Sequence, residues 1–216
     1  MRARTAALAT IAVLACSLSS GCVTGRRTIA LTVPAAESVP AVKGSVGLGK
    51  VSDERHFENH PAVASTPSID GDVNAVPRDS LKIMIGRQRG GFGNAMGDVA
   101  LSGGATVETE TRRLITEGFK RRGYAVGDAP GADSMDVTIE EFWAWFRPGF
   151  AQLAFETEIK TQIALSVAGQ THNLTVQGHG REEGQMASDE HWQAAYALAY
   201  QDYLKNLDAA LAEAGL

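Results

Sequence analysis

Cysteine is almost absent from this chain: only Cys16 and Cys22 occur, both near the start. No cysteine follows Cys22, so the rest of the chain can form no disulfide within itself. A long hydrophobic run is missing too. The most apolar stretch, Ala6–Leu18, falls short of the ~20 residues that a membrane-spanning helix requires. Surplus positive charge is lacking: 20 basic residues face 25 acidic ones, a formal net charge of −5. Such a surface is poorly suited to nucleic acid, whose binding relies on cationic side chains that displace counterions. Aromatic residues make up only 6% of the chain.

What is present begins at the N-terminus. Arg2 and Arg4 precede the short apolar stretch, and small residues follow it in Leu18-Ser19-Ser20-Gly21-Cys22. A charged start, a short apolar centre and small residues before a cut define a secretory signal peptide. Small residues directly before a cysteine resemble the lipobox of bacterial lipoproteins. That resemblance implies cleavage after Gly21 and a diacylglycerol, with palmitate, on Cys22. Cys16, after Val13-Leu14-Ala15, is the alternative site. Val23 follows Cys22 where inner-membrane retention would call for aspartate, so the resemblance implies the periplasmic face of the outer membrane. Cleavage there removes Arg2 and Arg4 and moves the net charge from −5 to −7. The expected organisation is a signal peptide over 1–21, a tether over 22–27 and one periplasmic domain over 28–216.

Along that domain the hydrophobic pattern predicts strands at TIALTV (28–33), SVGLGKVSD (45–53) and LKIMIG (81–86). Between the last two, residues 54–80 carry several prolines and no sustained period, which reads as a mobile loop. ATVETETRRLITEGFKRRGY predicts a helix with Val107, Thr111, Leu114, Ile115 and Phe119 on one face and Gly123 as its stop. MDVTIEEFWAWF predicts a strand with Val137, Ile139, Trp143 and Trp145 on one face. Glu141 falls on that face, marking a strand end, a bulge or a buried pair. LAFETEIKTQIALSV (153–167) alternates almost without a break, and THNLTVQGHGRE (171–182) returns as its hairpin partner. A final long helix has Ser188 as N-cap, with Trp192, Ala195, Ala199, Tyr203, Leu207 and Leu211 as its buried stripe. The predicted class is α+β: an antiparallel or mixed sheet with two main helices packed on one face.

The lipobox, SVGLGKVSDER, GRQRGGFGNAMGDV, the helix ending FKRRGYAV and DVTIEEFWAWF together resemble the YajG-like bacterial lipoproteins, over nearly all of the chain beyond residue 21. The resemblance implies an envelope lipoprotein without enzymatic activity. Segment 54–80 departs from the smaller members, so nothing located there carries over.

The glycine run IGRQRGGFGNAMGDV (85–99) invites a phosphate-loop reading, which its details exclude. No Lys-Ser/Thr follows the glycines, as a Walker loop requires, and no helix opens directly behind them, as a dinucleotide loop requires. The bland alternative is a tightly turned loop with Phe92 and Met96 docked on the sheet. The functional one is a partner-binding loop with Arg87, Arg89 and Phe92 as its contacts, residue types enriched at interface hot spots. His56-Phe-Glu-Asn-His60 lacks the HExxH arrangement and reads as a solvated loop. His172 and His179, seven apart on one strand, face opposite sides. The carboxylates of 136–158 read as solvated strand faces, and no nucleophile elbow occurs. Trp143, Trp145 and Trp192 read as core, with an exposed patch of Phe142, Phe146 and Phe150 as the alternative. The sequence therefore points to a non-enzymatic binding or assembly factor without metal or cofactor. Its partners would be an envelope protein and, through the anchor, the membrane. The alternative is a module that binds a lipid or small molecule.

Overall fold

The near-perfect alternation of residues 153–167 builds the longest regular part of the sheet, because a period of two buries every second side chain. The computed structural model describes residues 25–89, 95–128, 131, 133–149 and 152–216. Eight strands form one mixed sheet around β6 (Ser134–Pro148). Along one edge of β6, β7 (Leu153–Val167) pairs antiparallel from Ser134↔Ser166 to Pro148↔Leu153, and β8 (Gln170–Gly184) continues beyond it. The other edge of β6 is divided. Parallel β2 (Gly44–Asp53) occupies it from Ser134 to Ile139, and parallel β3 (Met84–Arg89) takes over at Ala144 and Trp145. Outside β2 lies β5 (Tyr124–Gly127); outside β3 lie β4 (Ala95–Leu101) and then β1 (Arg27–Ile29).

Helices α2 (Val107–Arg121) and α3 (Asp189–Glu213) cover one face, and a short α1 (Arg78–Leu81) precedes β3. The α+β class with two main helices on one face is the architecture the pattern predicted. Thr106 starts α2 with a reciprocal capping box to Thr109, and Gly123, at φ +81°, follows its end in the left-handed conformation that favours glycine. Ser188 stands at the N-cap of α3 but makes no capping bond. Arg27 secures that end instead, donating to the Ala187 carbonyl and to Asp189, both at 3.0 Å.

The contact of α3 with β8 depends on missing side chains. A Cβ on Gly178 would lie 2.4 Å from the Ala199 carbonyl oxygen, and one on Gly180 would lie 2.0 Å from that of Ala195. Both glycines face the helix, so its backbone rests directly on the strand. This brings Trp192, Tyr196, Tyr200 and Tyr203 to full burial. It also brings Asp202 and Asn206 to the edge of β8, where they bind the His179 N–H at 3.0 Å and the Gln177 carbonyl at 2.9 Å. Satisfying those groups blunts a strand edge that would otherwise attract another chain.

Three expectations need correction. First, Trp143 and Trp145 do not share a face with Val137 and Ile139. A bulge between Ile139 and Glu141 reverses the alternation and puts Phe142, Ala144 and Phe146 against the helices. The tryptophans are core, but on the second face. The exposed phenylalanine patch is absent at Phe142 and Phe146, which are 0% and 6% exposed, while Phe150 lies outside the described residues. Second, the strand expected at 28–33 is limited to Arg27–Ile29, where pairing with β4 ends at Leu101. Third, the strand expected at 81–86 starts at Met84, because α1 takes Leu81.

Segment 54–80, expected as a mobile loop, lies across the second face as a strap. Ile69 and Leu81 join Met84, Ala100, Trp143 and Trp145 in a separate apolar cluster, flanked by Phe57, Ala64, Val73, Val76 and Ile83. Phe57 meets Trp143 edge-to-face at 5.8 Å, and the Trp143 indole N–H donates to the Ala64 carbonyl at 3.3 Å. Arg55 begins the strap. Its guanidinium donates to the carbonyls of Met84 at 2.6 Å, Phe142 at 2.9 Å and Leu81 at 2.9 Å, with its charge held by Asp53 at 2.8 Å.

Replacing Gly180 by alanine should lower unfolding stability by about 2 kcal/mol or more, since neither backbone can yield freely. Gly127→Ala, where nothing lies within 4 Å, should change it by less than about 0.5 kcal/mol. Urea unfolding of both variants checks this.

Candidate binding cleft

The glycine run folds as a β-hairpin. β3 and β4 pair antiparallel from Met84↔Ala100 to Arg89↔Ala95, and residues 90–94 between them lie outside the described residues. Two of its glycines admit close backbones. A Cβ at Gly86 would sit 2.7 Å from the Ala144 carbonyl oxygen, and one at Gly97, where φ is +155°, would sit 2.0 Å from that of Gly25. These glycines serve strand contacts rather than a bound phosphate.

A register shift between Met84 and Gly86 inverts the alternation of β3, so Arg87 and Arg89 lie on the strap side of the sheet with Met84. Arg87 is 8% exposed and lies 3.8 Å from Asp98 and 3.5 Å from Asp70. Asp98, itself buried, takes the Asp70 N–H on both oxygens, at 3.2 and 3.0 Å, and lies 3.8 Å from Arg26. Arg89 donates to the Pro61 carbonyl at 3.1 Å and to Ser68 Oγ at 2.9 Å. Burial first, and the neighbouring Arg87 second, pull its guanidinium below its ordinary pKa. Between hairpin and strap lies a cleft of about 700 Å³, lined in part by Asn59, His60, Ser68, Asp70, Arg87 and Arg89. A second hollow, about 600 Å³, is lined by Gly25, Arg26, Met96, Gly97 and Asp98 and shares Asp70 and Ala95 with it.

The arginines singled out from sequence are thus brought together, but as walls of a cleft and as clamps on the strap. Phe92 and Cys22, like Cys16, lie outside the described residues. Sequence reasoning missed Asp98 and Asp70. The register Arg87↔Asp98 was the available signal, once the glycine run is read as a hairpin instead of a loop.

Other candidates are placed as follows. His56 is exposed and lies 3.5 Å from Glu58, and His60, with φ +54°, lines the cleft. His172 pairs across from Leu165 and His179 across from Glu158. Glu156 is buried and held by His179 and Arg181, each at 2.9 Å. Glu140 pairs with Lys160 at 2.9 Å, and Asp136 accepts the Lys50 N–H at 2.7 Å. Glu141, beside the bulge, is pushed above its ordinary pKa by burial and next by Glu158. Among the described residues no three His, Cys, Asp or Glu side chains converge on a metal position. No described helix is long and apolar enough to cross a membrane.

No protein-family model and no curated protein matches the chain. Among solved structures, protein XCC0632 of Xanthomonas campestris, from family DUF330, is similar over 88% of this chain and 97% of its own, with a TM-score of 0.50 and 11% identity. At that identity the likeness is one of fold. An uncharacterised protein matches over 86% of this chain and 97% of its own, with a TM-score of 0.43 and 10% identity. A neuraminyllactose-binding hemagglutinin homolog of Helicobacter pylori matches over 82% and 90%, with a TM-score of 0.32 and 9% identity. None of the three is named as an enzyme.

Asp98→Asn should cost about 2 kcal/mol or more, because it leaves Arg87 buried without a full countercharge. Limited proteolysis should then cut near Asp70 sooner than in the parent, while the β7–β8 hairpin stays resistant.

Proposed function

We propose that the chain is a lipid-anchored periplasmic lipoprotein, akin to the YajG-like family, that acts without catalysis as a binding or assembly factor in the bacterial envelope. Cys22 carries the lipid and holds the protein at the periplasmic face of the outer membrane. The observation that carries this reading is the position of the cleft. The Gly25 N–H donates to the Met96 carbonyl at 2.9 Å, so the chain enters the fold on the hollow beside the cleft. Gly25 stands three residues after Cys22, a reach of at most ~10 Å. An anchored chain would hold that side of the sheet near the membrane surface. Glu140 and Glu156 are engaged in ion pairs and Asp136 in a backbone hydrogen bond, which supports a non-enzymatic role for these carboxylates of β6 and β7. Arg89 and Phe92 are the contacts proposed for an envelope protein, with Arg87 holding the wall behind them. The second reading, a lipid or small-molecule module, is favoured by the volume and polarity of the same cleft.

Palmitate labelling in a bacterial host should mark the parent chain and Cys16→Ser but not Cys22→Ser, which should leave the membrane fraction. Labelling that persists in Cys22→Ser would move the anchor to Cys16, and no labelling of the parent would remove it. In-cell crosslinking should recover one envelope protein at near-equal amount, lost on Arg89→Ala or Phe92→Ala. Crosslinks confined to abundant envelope proteins would turn the assignment to the small-molecule reading.

A further inference from the structure

One cation of the cleft has no carboxylate partner. Arg87 faces Asp98 and Asp70, and Arg26 faces Asp98. Asp72, also on the lining, keeps its negative charge and takes neutral donors on Oδ1, the Asn59 amide at 2.7 Å and the Asn74 N–H at 2.9 Å. Arg89 differs. Every aspartate and glutamate of the chain lies among the described residues, and none forms an ion pair with it. Among the described residues its two hydrogen-bond partners, the Pro61 carbonyl and Ser68 Oγ, are neutral, and its Nε–H is buried without an acceptor. A like charge, Arg87, stands two residues away on the same face. A partly buried guanidinium with spare donors in an open cleft lacks an anion.

We propose that the cleft binds a singly charged phosphodiester, the headgroup linkage of a membrane phospholipid. The planar fork of an arginine matches the oxygens of such a group. One cation, Arg89, is without a carboxylate of its own, while Asp72 lines the same cleft and the Asp70 side chain at the rim is 85% exposed, so a second negative charge on the ligand would be repelled. About 700 Å³ accommodates a headgroup. The geometry at Arg89 stands without the anchor; the phospholipid source rests on the anchored reading, which would bring the cleft near the bilayer.

The test uses the full chain, purified from membranes in non-ionic detergent and titrated calorimetrically with glycerophosphoglycerol, inorganic phosphate and acetate at pH 8. Glycerophosphoglycerol should saturate at one per chain. Arg89→Gln should weaken it about tenfold or more, whereas Arg89→Lys, which keeps the charge, should weaken it less. Lys205→Gln, at an exposed position of α3, should leave it unchanged. Circular dichroism of each variant separates lost binding from lost folding, and Arg89→Lys keeps the test decisive if Arg89→Gln does not fold. No saturable binding, or equal binding by a folded Arg89→Gln, would overturn the site. Inorganic phosphate, mostly dianionic at this pH, binding as tightly as the diester would overturn the single-charge preference and the phospholipid source. Acetate binding as tightly would overturn the phosphodiester class. Diester binding by a chain whose mass shows no diacylglyceryl group would sustain the cleft and remove the anchor.

Discussion

The guanidinium of Arg55 holds together parts of the sheet that no strand pairing joins. β6 is longer than either neighbour on its divided edge. Pairing with β2 ends at Ile139 and pairing with β3 is established at Ala144, with a bulge lying next to that interval. Arg55 fills the opening by donating to carbonyls of Phe142 on β6, Met84 on β3 and Leu81 on α1. Asp53, the last residue of β2, neutralises it with both oxygens. Buried carbonyls and a buried cation are each costly alone; together they satisfy one another. One side chain therefore ties β2, β3, β6 and α1.

That tie also sets where the strap goes. Phe57 lies under the Arg55 guanidinium, 5.1 Å from ring centre to its carbon, and passes contact on to Trp143. The strap then covers the second face and carries Pro61, Ser68 and Asp70 to the arginines of β3. The cleft is a consequence of this route: one wall is a hairpin of the sheet, the other a segment with no regular structure beyond single turns. On the opposite face, α3 rests on glycines of β8 and depends on none of these contacts.

The sheet and main helices were legible because their periods are clean. Leu153 to Val167 alternates nearly throughout, and Val107, Thr111, Leu114, Ile115 and Phe119 repeat at helical spacing, each buried as the spacing requires. The face of Trp143 and Trp145 was not legible, because one bulge residue inverts parity and only the charge at Glu141 hinted at it. The strap was illegible for a different reason: its burial is aperiodic, and Arg55 reads in sequence as one more solvated charge. Arg87 and Arg89 were found, yet their setting was not, since Asp98 becomes a neighbour only through the hairpin register and Asp70 only through the strap.

Hydrogen exchange of Arg55→Met tests directly whether Arg55 fastens the strap to the sheet. Amides of the strap and of the start of β3 should lose protection about a hundredfold or more, while those of β7, β8 and α3 keep theirs. Uniform loss across the sheet would make Arg55 a general stabiliser, and unchanged protection in the strap would contradict the account.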